Sequence, residues 1–272
     1  MDHRKLLIKR LENWFAGINK AAVALSGGID SSLIAYVARK QLGRDHVIAI
    51  ISNSASLKQK ELLEARNFCK QYDIPLLEID SREIEDANYR NNPVNRCFFC
   101  KTALYSEMER IIEEKYPDHI ILNGNNFSDF GDYRPGLKAA EDHRVFSPLA
   151  QCKFTKEDIR TAARYYDLPN RNKPASPCLS SRFPYGEKIS VRKLKMVEKA
   201  EDVLNDFGFN DVRVRYIGNK ARIEVPGHQV DTLAKSFDRI APSILSFGFD
   251  ACEIDREGLI SGKLNRKLKA DH

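Results

Sequence analysis

The sequence predicts an α/β protein: a parallel sheet with helices on both faces, followed by a smaller C-terminal α+β domain. Three observations carry that expectation. Four short, continuous apolar runs, AAVAL (21–25), VIAIIS (47–52), IPLLEI (74–79) and HIILNG (119–124), read as strands buried on both faces. Segments of helical periodicity separate them, such as SSLIAYVARKQL (31–42). Beyond Ile189 the pattern changes: a charged helix (190–206) precedes two alternating strands, DVRVRYIG and KARIEVPG, then a helix (229–246) and a last strand (249–254).

The elements follow in order. The N-terminal segment MDHRKLLIKRLENWF mixes charged and apolar residues as an amphipathic helix does, with no signal-peptide cleavage pattern. Ser56 and Gln59 have capping-box spacing ahead of a helix that runs to about Tyr72. The stretch from Asn123 to Lys188 is rich in Gly, Pro, Asn and Ser and is expected to be irregular apart from one helix opening at Thr155, where TKED resembles a capping box. Long irregular stretches in compact proteins are commonly functional, and this one carries SDFGDYRPG and NKPASPCLSSRFPYG. The chain of 272 residues suits two domains, expected as 1–188 and 189–272, the second serving substrate binding or oligomerisation.

Composition narrows the function classes. The chain has 44 basic and 38 acidic residues, a net charge of +6, which suits phosphate-bearing ligands but is weak for a nucleic-acid binder. No run approaches the ~18 apolar residues of a membrane span. A cytoplasmic homo-oligomer with no membrane or nucleic-acid partner is the expectation. The six cysteines (Cys69, Cys97, Cys100, Cys152, Cys178 and Cys252) are then more readily metal, redox or core residues than disulfides.

The most informative motif is Ser26-Gly27-Gly28-Ile29-Asp30-Ser31-Ser32, between the first strand and a helix. Two glycines allow close backbone approach to a ligand. A helix N-terminus offers free amides and a favourable dipole to an anion. A carboxylate at Asp30 suits such a site when Mg²⁺ bridges it to phosphates. The plain alternative is a strand–turn–helix junction capped by Asp30. The loop lacks both the Walker Gly-Lys-Ser/Thr and the dinucleotide GxGxxG; SGGxDS matches the PP-loop of enzymes that cleave ATP between the α and β phosphates.

Cys97-Phe98-Phe99-Cys100 precedes an amphipathic helix, and two thiolates so spaced can reach one metal or cluster. Cys178 could join them through folding. A redox couple, a structural zinc site or an inert pair remain as alternatives. Cys69 falls on an apolar stripe with Leu62, Ala65 and Phe68 and is expected in the core, and Cys152 and Cys252 receive no role. In DVRVRYIG, Arg213 and Arg215 share one strand face, which suits a phosphate or carboxylate; the alternative is a solvated face paired with Glu224. Ser180, Ser181 and Arg182 could add donors to the same ligand.

Taken together, SGGIDSS, NGNNFSDFGDYRPGLKA, SPCLSSRFPYG and DVRVRYIGNKARIEVP resemble the LarE family of ATP-dependent sulfur transferases over nearly the whole chain. The resemblance implies a PP-loop ATPase domain binding ATP and Mg²⁺ through Ser26, Gly27, Gly28, Asp30, Ser31 and Ser32. It implies a nucleotide-like acid as substrate, a pyridinium dicarboxylate mononucleotide, whose carboxylates become thiocarboxylates for a nickel-pincer cofactor. It implies that Ser181, Arg213 and Arg215, with Arg182, line the substrate's phosphate site, and that Asp30, Cys178 and Ser181 serve catalysis. Some members use a sacrificial cysteine where this chain has Pro177. Cys97, Cys100 and Cys178 are similar instead to the branch in which three cysteines hold a 4Fe–4S cluster fed by a sulfide or other sulfur donor. The runner-up is a PP-loop tRNA thiolase; a nucleotide sensor without turnover and an ammonia-dependent amidating synthetase are further alternatives.

Overall fold

A computed structural model describes residues 3–131, 135–174, 176–260 and 262–263. Asp132–Arg134 of the DYRPG motif and Ala175 lie outside the described residues. In chain order the elements are α1 (His3–Trp14), β1 (Ala21–Ala24), α2 (Ile29–Leu42), β2 (Val47–Ser52), α3 (Gln59–Gln71), β3 (Leu76–Ile79) and α4 (Ala87–Arg90). They continue as α5 (Arg96–Lys115), β4 (Ile120–Leu122), α6 (Pro135–Asp142), α7 (Pro148–Gln151), α8 (Lys156–Tyr165) and α9 (Val191–Asp206). The last are β5 (Arg213–Ile217), β6 (Lys220–Glu224), α10 (Val230–Leu245) and β7 (Ala251–Ile254).

The chain forms two compact units: Met1–Glu83 with Asn95–Ser176, and Ile84–Val94 with Pro177–His272. The boundary anticipated near residue 188 falls inside the second unit, which also takes up a segment distant in sequence. Backbone bonds explain that recruitment: the Ile189 amide donates to the Arg90 carbonyl and the Gly186 amide to the Asn92 carbonyl, at 2.8 and 2.9 Å.

In the first unit a four-stranded parallel sheet has the order β3-β2-β1-β4. Strand alternation sends Ala21, Val23, Val47, Ala49 and Ile51 to one core, where α1, α2, α3 and α8 contribute Leu11, Leu33, Leu62 and Ile159. Ala22, Ala24, Ile48 and Ile50 go to the other, against Tyr105 and Met108 of α5 and Ala139 of α6. Both faces are covered, as the unbroken apolar runs require. β1 connects forward to β2 on one side and pairs with β4 on the other, so the strand order reverses beside its carboxyl end, where such sheets bind ligands.

Two expectations need correction. The helix after Ser56 starts at Gln59 with Lys58 as its N-cap and no side-chain cap bond; the Ser56 hydroxyl instead donates to the buried carboxylate of Glu83 at 2.9 Å. The Asn123–Lys188 stretch contains α6 and α7 besides the helix from Lys156, and each opens on a proline, a residue suited to the first helical turn because its missing N–H costs nothing there. The Thr155 capping box forms as read, with Asp158 as its partner.

The second unit carries a three-stranded sheet of order β5-β6-β7, antiparallel then parallel, with α9 and α10. Phe183 stacks on Tyr216 at 5.2 Å between ring centroids.

Candidate active site

The loop Leu25–Gly28 leaves the carboxyl end of β1 and feeds α2, whose N-cap is Gly28. Gly27 sits at φ +75°, a conformation that any side chain would strain, and a Cβ there would also press on the Glu61 carbonyl at 3.2 Å. The loop is braced from within. The Ser26 amide donates to Ser31 Oγ at 3.1 Å, and the Ser31 hydroxyl donates to the Gly28 carbonyl at 3.2 Å. The first intrahelical bond runs from the Ser32 amide to the Gly28 carbonyl, so the amides of Ile29, Asp30 and Ser31 have no intrahelical acceptor. These three amides are the donors that the start of α2 offers to an anion.

The opposite wall is the segment after β4. Gly124 packs so closely on α2 that a Cβ would lie 2.6 Å from the Ser31 nitrogen. Side chain and helix cannot both occupy that space, so glycine is required there. Between these walls lies a cleft of about 280 Å³ containing Ser26, Gly28, Asp30, Asn123, Asp129 and several cations.

Asp30 is held at one oxygen. Its Oδ2 accepts from Asn126 Nδ2 at 3.1 Å and from Lys156 Nζ in a close ion pair. Its Oδ1 is buried without a hydrogen-bond partner among the described residues. A buried, unpartnered carboxylate oxygen is costly, and a divalent cation is the partner that fits its charge and position beside the phosphate-binding amides.

Ser26, Gly28, Asp30 and Ser31 line this cleft, whereas the Ser32 hydroxyl turns away and accepts from Asn170 Nδ2 at 2.9 Å. Sequence reading overlooked Lys101, Asn126, Asp129, Lys156, Arg160 and Lys173. Lys156 and Arg160 were findable, since i,i+4 spacing after the Thr155 cap puts them on one face of α8. Arg160 forms no hydrogen bond or ion pair among the described residues, which leaves its charge available to a phosphate.

The cysteines divide by environment. Cys97 is exposed and Cys100 partly so, and both lie inside the first turns of α5, not ahead of it. Cys178 is exposed in the second unit, at the N-cap of the short 3-10 turn Leu179–Arg182. Burial pushes the pKa of Cys69 up to about 12 and that of Cys252 up to about 11; Cys152 is raised for the same reason. No three His, Cys, Asp or Glu side chains form a metal-ligand group among the described residues. The accessible thiols nonetheless have the donor chemistry that iron requires.

In the second unit the three arginines have different circumstances. Arg182 is buried and its guanidinium binds the Glu201 carboxylate at 2.8 and 3.2 Å and the Pro177 carbonyl at 2.6 Å. Arg215 is buried against Glu224, donating twice to Oε2 at 2.9 and 2.7 Å, and also binds the Ser181 carbonyl at 2.8 Å. Both are therefore committed within the unit rather than directed at a ligand. Arg213 is half-buried and forms no hydrogen bond or ion pair among the described residues. Burial lowers its pKa, and the positive charges of Arg215 and Arg182 add to that effect. The Ser181 hydroxyl donates to the Cys178 carbonyl at 2.7 Å and receives from Arg182 Nη1 at 2.9 Å.

A parallel sheet, a glycine loop at its switch point and a carboxylate in the first turn of the following helix define a PP-loop ATP-pyrophosphatase domain. A family profile described as NAD synthase matches residues 4–97, which span this loop. An uncharacterized protein of Synechocystis sp. is 40% identical over 263 residues, covering 96% of this chain and 97% of that relative. The pyridinium-3,5-bisthiocarboxylic acid mononucleotide synthase of Lactiplantibacillus plantarum is 34% identical over 251 residues, 92% of this chain and 91% of that enzyme. An NH(3)-dependent NAD(+) synthetase of Fusobacterium nucleatum is 36% identical over 231 residues, 76% of this chain and 85% of that enzyme. The chain belongs to the LarE family of the PP-loop superfamily, and it is an ATP-dependent enzyme.

Proposed function

We propose that the protein is a sulfur transferase that forms AMP and pyrophosphate from ATP while converting a carboxylate of a pyridinium dicarboxylate mononucleotide to a thiocarboxylate, a step toward a nickel-pincer cofactor. The observation that carries the reading is the loop Ser26–Ser31 with the unpartnered Asp30 Oδ1 beside it. A carboxylate is inert to sulfide until one oxygen becomes a good leaving group. Attack of the substrate carboxylate on the α-phosphorus expels pyrophosphate, whose growing charge the loop amides, Arg160 and a Mg²⁺ on Asp30 Oδ1 would stabilise. Attack of a sulfide nucleophile at the acyl carbon then expels AMP and leaves the thiocarboxylate.

On this reading Arg213 receives the substrate's phosphate, and Arg182 and Arg215 hold the scaffold around it. Ser181, bonded to Cys178 and Arg182, belongs to the same region. Cys97, Cys100 and Cys178 would hold a 4Fe–4S cluster, which supplies sulfide when bound. The exposure of Cys97 and Cys178, against the burial of Cys69 and Cys152, supports that assignment. The reaction takes place in the cytoplasm, where ATP is supplied, in a homo-oligomer whose second unit contributes substrate binding.

Similarity to the NAD(+) synthetase favours a second reading, amidation of the same acyl-adenylate by ammonia. One experiment separates the two. Incubation with Mg-ATP and the dicarboxylate mononucleotide should yield AMP, pyrophosphate and a product heavier by the exchange of oxygen for sulfur when sulfide is supplied. An amide formed from ammonia, or ADP in place of AMP, would overturn the assignment.

A further inference from the structure

Lys173 has no role in the reaction described so far, yet it touches the phosphate loop. Its largely buried ammonium donates to the Gly27 carbonyl at 3.1 Å and to Glu64 at 2.6 Å, and forms a close ion pair with Glu61. An ammonium has three N–H donors, and these three acceptors use them all. None is left over for a phosphate, although the residue borders the cleft.

The bond to Gly27 fixes more than a carbonyl. No cis peptide occurs among the described residues, and in a trans peptide the C=O and the following N–H point in opposite directions. Holding the Gly27 oxygen toward Lys173 turns the Gly28 N–H the other way, toward Ser26 Oγ at 3.4 Å, on the cleft side of the loop. Glycine at φ +75° has little intrinsic resistance to a flip of this peptide. The orientation therefore needs an external pin. The carboxylate of Glu61 also lies against the loop, near enough that a Cβ on Gly27 would be 3.3 Å from Oε2. Without its ammonium partner it would be a buried negative charge beside a polyphosphate.

We propose that Lys173 is a positioning residue of the nucleotide site: it pins the Gly27–Gly28 peptide with its amide toward the phosphates and neutralises Glu61, and it does not itself bind a phosphate. The inference rests on the cleft being the ATP site. The test measures binding of Mg²⁺ with the non-hydrolysable α,β-methylene ATP by calorimetry, with thermal unfolding as a check on folding. Wild-type protein that binds no nucleotide would fail the functional reading itself. Given wild-type binding, Lys173→Met should weaken it by at least about tenfold, since one partner of a buried charge pair is left alone. The double variant Glu61→Gln, Lys173→Met removes both charges and should recover only the part of that affinity lost to the uncompensated Glu61 carboxylate, because the Gly27 carbonyl stays unpinned. Because the double variant leaves no buried lone charge, it also serves if the single one fails to fold. Unchanged affinity in Lys173→Met would overturn the proposal. So would a double variant that binds no better than the single one, because neutralising Glu61 would then be no part of the role of Lys173.

Discussion

In the first unit the donors at the start of α2 are main-chain amides; in the second, on β5 and around it, they are guanidiniums. The two constructions tolerate change differently. Amides need no side chain, but they need space, and that space is secured by Gly27 at φ +75° and by Gly124, whose Cβ would lie 2.6 Å from the Ser31 nitrogen. Guanidiniums bring their own charge and must be kept apart from one another. Glu201 occupies Arg182 and Glu224 occupies Arg215, whereas Arg213 forms no ion pair among the described residues. A backbone site is therefore vulnerable to added volume, and a side-chain site to removed charge.

The largest expected effect breaks the first construction. Asp30→Ala should lower pyrophosphate release by roughly 10²–10³, the scale of losing one group that stabilises transition-state charge. Chelating Mg²⁺ in the wild type should reproduce the loss, and a Mg²⁺-independent wild type would remove the metal role from Asp30 Oδ1. Gly124→Val should abolish release by displacing α2, read in the same assay.

The second construction breaks through stability. Arg215→Ala leaves Glu224 buried without its guanidinium and should cost about 3–5 kcal/mol in denaturant unfolding. Arg182→Ala should behave alike through Glu201. Arg213→Ala should leave the unfolding midpoint near wild type and instead weaken binding of the mononucleotide acceptor by about 2 kcal/mol or more, with nucleotide affinity unchanged. Destabilisation by Arg213→Ala with normal acceptor binding would make this arginine structural like its neighbours.

The cysteines sharpen the comparison in a smaller way. Anaerobically reconstituted protein should carry about four irons per chain, lost on replacing Cys97, Cys100 or Cys178 by Ala and kept on replacing Cys252. Intact mass after turnover should show no cysteine converted to dehydroalanine; such a conversion would restore a sacrificial thiol. The mildest effect is a pH dependence of alkylation in the iron-free protein. Burial favours the neutral thiol of Cys69 and holds its pKa at about 12, so it should remain unlabelled through pH 9, where Cys97 and Cys178 react. Labelling of native Cys69 at pH 8 would show that α3 opens.

Much of the first unit was legible because its signals are local. Apolar runs marked β1 to β4, the Thr155–Asp158 box marked α8, and SGGIDSS announced its own loop through glycines and helix position. The same local reading missed α6 and α7, each short and buried within a Gly- and Pro-rich stretch. It also missed the cations of the cleft, because Lys101, Lys156, Arg160 and Lys173 are spread over about a quarter of the chain and meet only after the sheet is assembled.

What the sequence determined by itself was the order of the strands, the phosphate loop, the family and the placing of Cys69 in the core. Each depends on composition or spacing within a few turns of chain. Only the tertiary structure decided that Ile84–Val94 joins the second unit, that Ser32 faces Asn170, and that, among the described residues, Asp30 Oδ1 has no hydrogen-bond partner and Arg182 and Arg215 pair with carboxylates while Arg213 does not. Those outcomes depend on partners that meet across long separations in sequence: amide with carbonyl, hydroxyl with side-chain amide, carboxylate with cation. Desolvation makes that choice matter, since a buried charge must find its partner within the fold.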